Sequence, residues 1–183
     1  MILPIYVYGH PVLRKKSTEI TMEYPGLKEL IQNMFETMGH DQGVGLAAPQ
    51  IGLPIRLFVI DTRGFKENYP DTPELKAVFI NPVIKEEFGD DFTFNEGCLS
   101  IPDIHADVTR KSEILIAFTD ENGTRQEKTF NGLIARVIQH EYDHLEGKVF
   151  IDRLSQMKKM LLKKKLTDIA VGKEKPSYKS IHS

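Results

Sequence analysis

The chain has 183 residues, 40% of them hydrophobic, and a net charge of −2 at neutral pH from 24 basic and 26 acidic side chains. That length suits one ordinary domain with a short appendage, and the balance excludes a disordered, collagen-like or fibrous chain. The single cysteine, Cys98, excludes an intramolecular disulfide and a multi-cysteine zinc cage, and points to a reducing compartment.

The charge is unevenly spread. Between Arg153 and Lys175 eight basic residues face two acidic ones, Asp168 and Glu174. A basic tail of this kind suits an anionic partner, although a solvated helix face is the commoner cause. The apolar stretch Met1–Val7 is broken by Pro4 and precedes its basic cluster (Arg14, Lys15, Lys16), the reverse of a signal peptide. The uncharged run Gln42–Ile55 is too short and too rich in Pro and Gly to span a bilayer. The expectation is a soluble, cytoplasmic protein.

Leu27, Leu30, Ile31, Met34, Phe35 and Met38 recur at helical spacing between Pro25 and Gly39 and predict an amphipathic helix. The glycine-rich run 43–52 is too irregular for one element. Arg56–Asp61 predicts a short strand, Phe65–Lys76 a surface loop, and Val78–Ile84 and Asp91–Phe94 two further strands. Ile114, Ile116 and Phe118 alternate in another strand, which turns at Asn122-Gly123 into a partner around Thr124–Phe130. Leu133, Ile134, Val137, Ile138, Tyr142 and Leu145 mark a second helix ending at Gly147. A basic helix follows from Leu154 to Ala170, with Leu154, Met157, Leu161 and Leu162 as its apolar stripe. Residues 1–170 are expected to form one domain and 171–183 a frayed polar tail. The class is α+β.

The sharpest chemical signal is His140-Glu141-Tyr142-Asp143-His144, an H-E-x-x-H on the second helix. Histidines four apart project about 40° from one another, one turn apart in height, so both can reach one metal ion. Glu141 lies beside them, where a carboxylate can take a proton from metal-activated water. The plain alternative is two hydrogen-bonded histidines on a half-buried helix. Phe150 stands where a metzincin would supply its third histidine, and Glu174, the acidic candidate of the thermolysin type, falls in the tail. A third ligand must be sought upstream.

Cys98, in Glu96-Gly97-Cys98-Leu99-Ser100, is the candidate. Thiolates bind divalent iron, zinc, cobalt and nickel, although a lone cysteine is more often an inert buried hydrophobe. The run Gly43–Gly52 resembles no phosphate loop; it is either a plain turn or a means of bringing backbone and Gln50 against a substrate.

Together, G-V-G-L-A-A-P-Q, E-G-C-L-S and Q-H-E-Y-D-H-L-E-G resemble the three signature motifs of the peptide deformylase family, in the family's order, with likeness from about residue 9 to residue 154. The resemblance implies mixed and antiparallel sheets around a central helix that carries the H-E-x-x-H. It also implies hydrolytic removal of the formyl group from formylmethionyl nascent peptides. By motif position Cys98, His140 and His144 are the metal ligands, with ferrous iron the native ion and zinc, nickel or cobalt as substitutes. Glu141 is the general base and acid, Gln50 and the Leu99 N–H are oxyanion donors, and Gly45 offers backbone contact to the substrate. Val44, Leu133 and Val137 are the candidate walls of a methionine pocket. The basic C-terminal helix fits the bacterial subclass that ends in a helix, and its lysines suggest a contact with ribosomal RNA; a monomer is expected. Asp103 and Lys111 depart from the common Gly and Pro. Arg136 either meets a substrate carbonyl or pairs with an acidic neighbour, the second being favoured. The competing readings are another metal-dependent amide hydrolase, such as a small zincin peptidase, and a non-catalytic metal-stabilised binding protein; an intact Glu141 argues against the latter.

Overall fold

The computed structural model describes residues 1–183. A short strand β1 (Ile5–Tyr6) leads to helix α1 (Leu27–His40), which buries Leu27, Met34 and Met38 as its spacing predicts. Burying a methionine fully is worth about 1.5–3 kcal/mol. The glycine-rich run becomes strand β2 (Gly45–Ala47) and a 3-10 turn, Ala48–Ile51. Then come β3 (Leu57–Asp61), β4 (Lys76–Cys98), β5 (Ile101–Thr119) and β6 (Arg125–Asn131), forming with β2 one antiparallel sheet in the order β2-β3-β4-β5-β6.

The strands expected at 78–84 and 91–94 are parts of the single strand β4. The polar stretch Glu86–Asp91 reads as a break, yet it is the solvent-facing part of a long hairpin. Register shifts between Ile80 and Val83, Ile84 and Glu86, and Phe88 and Asp91 bend the ladder without ending it. The β5–β6 turn falls at Asn122-Gly123 as predicted. There Asp120 Oδ1 accepts from the N–H of Asn122 and Thr124 at 2.9 and 3.0 Å.

Helix α2 (Gly132–Leu145) is the centre of the fold, with ten of its fourteen residues buried. Its apolar side meets Phe58, Ile60, Phe79, Ile114 and Ile116 of the sheet. Helix α3 (Gln156–Ala170) begins at Ser155, whose Oγ accepts from the Lys158 N–H at 3.3 Å. Its buried stripe is not the expected one. Leu166 and Ile169 are buried and Leu162 packs beside them, whereas Met157 and Leu161 are 73% and 78% exposed. Positions 162, 166 and 169 share a face at helical spacing, and 157 and 161 fall outside it. Leu154 is buried just ahead of the helix.

The tail carries a short strand. Strand β7 (Ser180–Ile181) pairs in parallel with β1, Ile5 opposite Ser180 and Tyr6 opposite Ile181. The backbone partner that a polar sequence lacks locally is supplied by the other end of the chain. No helix is long and apolar enough to cross a membrane.

Candidate active site

Gln139, His140, Glu141, Asp143 and His144 are all at most 9% exposed. Burying so many polar groups on one helix is costly unless each finds a partner. Most do. Gln139 Nε2 donates to the Lys111 carbonyl at 3.2 Å, and His140 Nδ1 meets Glu96 Oε1 at 2.8 Å. Asp143 accepts from Arg110 at 2.8 Å and from Nε and one terminal nitrogen of Arg153 at 2.7 and 2.8 Å. His144 Nε2 lies 3.3 Å from Cys98 Sγ. Three of their buried atoms, Gln139 Oε1, Glu141 Oε2 and His144 Nδ1, have no protein partner.

Cys98 closes β4, opposite Ile101, so the β4–β5 hairpin delivers it over α2 on a two-residue turn, Leu99-Ser100. Cys98, His140 and His144 each turn one ligand atom inward, all within 4.8 Å of one another. The Glu96 contact commits Nδ1 of His140 and leaves Nε2 for the cluster, the carboxylate–histidine arrangement common around bound metals. Burial alone would lower the His140 pKa, but Cys98, Glu96 and Glu141 raise it well above the ordinary value. The surroundings therefore favour positive charge at this point. Burial, reinforced by the charge on His140, pulls His144 down to about 3, so it stays neutral with a lone pair to give. A soft thiolate and two imidazoles converging in such a field fit a divalent cation.

Glu141 points into the same space. Burial pushes its pKa up to about 7, where a carboxyl group can both take and return a proton near neutrality. Gly45 makes room for it: a Cβ on Gly45 would fall 2.5 Å from Glu141 Oε1. Strand β2 is the outer strand of its sheet, so Gly45 presents backbone at an edge beside the cleft. Gln50 is 1% exposed and fixed at both ends of its amide. Its Oε1 accepts from the Ala47 N–H at 2.9 Å, and its Nε2 lies 3.2 Å from Ser100 Oγ and 3.5 Å from Cys98 Sγ. The Leu99 N–H has no acceptor within the protein.

A cleft of about 760 Å³ opens over these groups. Val44 and Val137 line it; Leu133 does not. Leu133 borders a separate hollow of about 390 Å³, because seven residues along a helix carry it about 10 Å from His140. The apolar wall is supplied instead by Phe65, Tyr69 and Phe94, packed edge to face or tilted at 5.7–6.4 Å.

Glu96 and Arg110, which surround the cluster, escaped the sequence. Glu96 is buried among Arg110, Arg136 and His140. Burial would raise its pKa, but hydrogen bonds from His140 and Arg110 hold it far below the usual carboxylate range. Asp143 is likewise held low against its burial by Arg153 and Arg110. Arg136 donates to Glu96 Oε2 and the Val108 carbonyl, both at 2.8 Å, and to the Phe92 carbonyl, so the acidic pairing is the one adopted. Asp103 has a φ of 58°, a left-handed conformation that Gly enters freely and Asp tolerates. Lys111 pairs with Asp91 at 2.9 Å on the surface.

The family described as Polypeptide deformylase matches residues 2–160. The chain is 54% identical to a peptide deformylase of Flavobacterium johnsoniae over 98% of this chain and 95% of that protein. It is 49% identical to one of Cytophaga hutchinsonii over 98% and 96%. Among solved structures, a plant peptide deformylase PDF1B superposes with a TM-score of 0.84 at 37% identity, covering 94% of this chain and 91% of that one. A peptide deformylase from Legionella pneumophila gives 0.82 at 38%, covering 96% and 100%. The chain belongs to the polypeptide deformylase family.

Proposed function

We propose that Cys98, His140 and His144 hold ferrous iron natively, that Glu141 carries the proton, and that Gln50 and the Leu99 N–H receive the developing oxyanion. Family membership makes the chain a metal-dependent hydrolase that removes the N-formyl group from nascent peptides. The observation that carries the assignment of roles is the convergence of three ligand atoms beside a buried carboxylate with a free oxygen.

Bound by those ligands, a divalent cation supplies Lewis-acid chemistry that makes water a nucleophile near neutral pH. The chain's own residues do the rest. The apolar wall of Val44, Val137, Phe65 and Phe94 takes the methionine side chain and excludes water. The free edge of β2 at Gly45 aligns the substrate backbone. Glu141 accepts the proton of the attacking water, and the amide of Gln50 and the N–H of Leu99 meet the negative charge on the formyl oxygen. Glu141 then returns the proton to the departing amine, and formate leaves.

The protein works in the cytoplasm, at the ribosome. Lys158, Lys163 and Lys164 stand exposed on α3, and Lys159 beside them. They would meet ribosomal RNA through its phosphates, with affinity falling steeply as salt rises. Arg153 and Lys165 are committed elsewhere, to Asp143 and the Asp103 carbonyl.

The test is metal analysis of anaerobically purified protein, coupled to formate release from a formylmethionyl peptide and from the same peptide unformylated. One equivalent of iron and reaction of the first peptide alone are expected. Cleavage of an internal peptide bond would place the site among peptidases instead.

A further inference from the structure

The free edge of β2 leads from the catalytic carboxylate to the C-terminal tail. The Asp61 N–H donates to the Val44 carbonyl at 2.9 Å, so alternation along the antiparallel pair turns the N–H and carbonyl of Gly45 to the open side of the strand. Leu46 and Ala47 are wholly buried, whereas residues 42–45 line the cleft, so the edge is open only toward Gln42. Along it the neighbour changes. A Cβ on Gly45 would meet Glu141, and one on Gly43 would lie 3.1 Å from Leu99 Cδ1. The Leu99 carbonyl in turn accepts from the Tyr178 hydroxyl at 2.5 Å.

Tyr178 closes a wall of the cleft formed by Lys175–Tyr178, which lies past residue 160, where the family match stops. The wall is held at both ends. Ahead of it the N–H groups of Lys173 and Glu174 donate to the Asp168 carbonyl at 2.9 and 3.2 Å, and behind it the Lys179 carbonyl accepts from the Ile5 N–H at 2.9 Å. Lys175 is the cation this wall brings to the cleft. It is exposed, and whereas Lys16, Lys66, Lys85 and Lys111 pair with carboxylates, Lys175 does not. The acidic residue of the same rim is Asp103, and Lys165 Nζ stands 2.8 Å from the Asp103 carbonyl. Two ammonium groups against one carboxylate leave the rim beside the tail positive.

We propose that Lys175 is a specificity-determining residue, selecting formylmethionyl peptides that carry acidic side chains at their second and third positions. The proposal rests on the reading in which the formyl group lies at Glu141 and the peptide backbone follows the edge of β2. Two residues of strand span about 6.6 Å. A peptide with its formyl group at Glu141 and its methionine against the apolar wall therefore carries its next residues past Gly43 to the tail. There an ammonium attracts a carboxylate and repels a second ammonium, across water, so the discrimination is modest and screened by salt.

The experiment measures formate release by the metal-loaded enzyme from formyl-Met-Glu-Glu-amide, formyl-Met-Gln-Gln-amide and formyl-Met-Lys-Lys-amide. Wild type should favour the Glu peptide over the Lys peptide about fivefold in kcat/KM, mostly through KM, with the Gln peptide between them. At high salt the ratio should fall to within about twofold. Lys175→Gln should bring it to within about twofold at low salt, and Lys175→Glu should invert it, both with the wild-type Tm. A merely structural role would lower all three rates together and leave the ratio alone. Equal rates on the Glu and Lys peptides in wild type, or a ratio that survives Lys175→Glu, would overturn the proposal while leaving the catalytic reading intact. No formate from any of the three would overturn both.

Discussion

Gly45 and Glu141 are in contact across the gap between β2 and α2: a Cβ on Gly45 would lie 2.5 Å from Oε1, 2.8 Å from Cγ and 2.9 Å from Cδ of Glu141. The glycine is thus required by its neighbour rather than by its own backbone, whose φ is not in the left-handed region. Gly45→Ala should leave the strand paired with Ile60 and the metal bound. It should displace the carboxylate and lower kcat by about 10- to 100-fold, since misplacing a reacting group by an ångström costs on that order. Formate release and metal content, measured on the same preparation, check this.

Glu141→Ala separates the base from the ligands. Metal should stay at the wild-type level while kcat falls by about 10² to 10⁴, the usual worth of a positioned acid–base group. His144→Ala should lose metal and activity together. Removing metal from wild type with a chelator should abolish formate release, and adding a divalent ion back should restore it. A Glu141→Ala enzyme with near-native turnover would falsify the assigned role.

The buried cluster of Glu96, Arg110 and Asp143 predicts a particular response to acid. Glu96 and Asp143 have folded pKa values below their unfolded ones of 4.5 and 3.8. Their contribution is therefore complete above about pH 4.5 and is lost as pH falls through and below that range. Arg110→Leu leaves two buried carboxylates short of a partner and should cost about 3–5 kcal/mol at neutral pH. It should also flatten the acid limb of the stability curve. Urea unfolding between pH 3 and pH 7 measures both.

Asp103→Gly should be neutral or slightly stabilising, because glycine adopts the left-handed conformation at φ 58° without strain. Asp103→Val should cost about 1–2 kcal/mol for the same reason. A pair of thermal melts decides it, and activity on a short peptide should follow the glycine variant unchanged.

Replacing Lys158, Lys159, Lys163 and Lys164 by Gln should leave turnover of a short formylated peptide unaltered and weaken co-sedimentation with ribosomes at low salt. Undiminished co-sedimentation would leave the four lysines as solvated surface.

The meeting of His140 and His144 was legible because the element that carries them has a periodicity of its own: a helix places them together from spacing alone. Cys98 was legible only through the incompleteness of that pair. Glu96 and Arg110 were not, although Glu96 lies two residues from Cys98. Their pairing depends on the register of β4 against β5, which the bulges reset several times. Leu133 was misplaced because helical phase predicts direction and ignores distance along the axis. The stripe on α3 was misread because leucines and methionines occur on more than one face of that helix, and only tertiary packing selects among them.

The parallel pairing of β1 with β7 has a consequence for how the molecule is made. Translation delivers Ile5–Tyr6 long before Ser180–Ile181, so the first strand waits for a partner that lies far downstream. A ribosome-arrested chain ending before residue 175 would contain Cys98, His140, His144, Glu141 and Gln50, and yet lack the wall beside Leu99. Its metal could be bound before its cleft was closed. Emergence of residues 175–181, rather than loading of the ion, then becomes the event that completes the cleft.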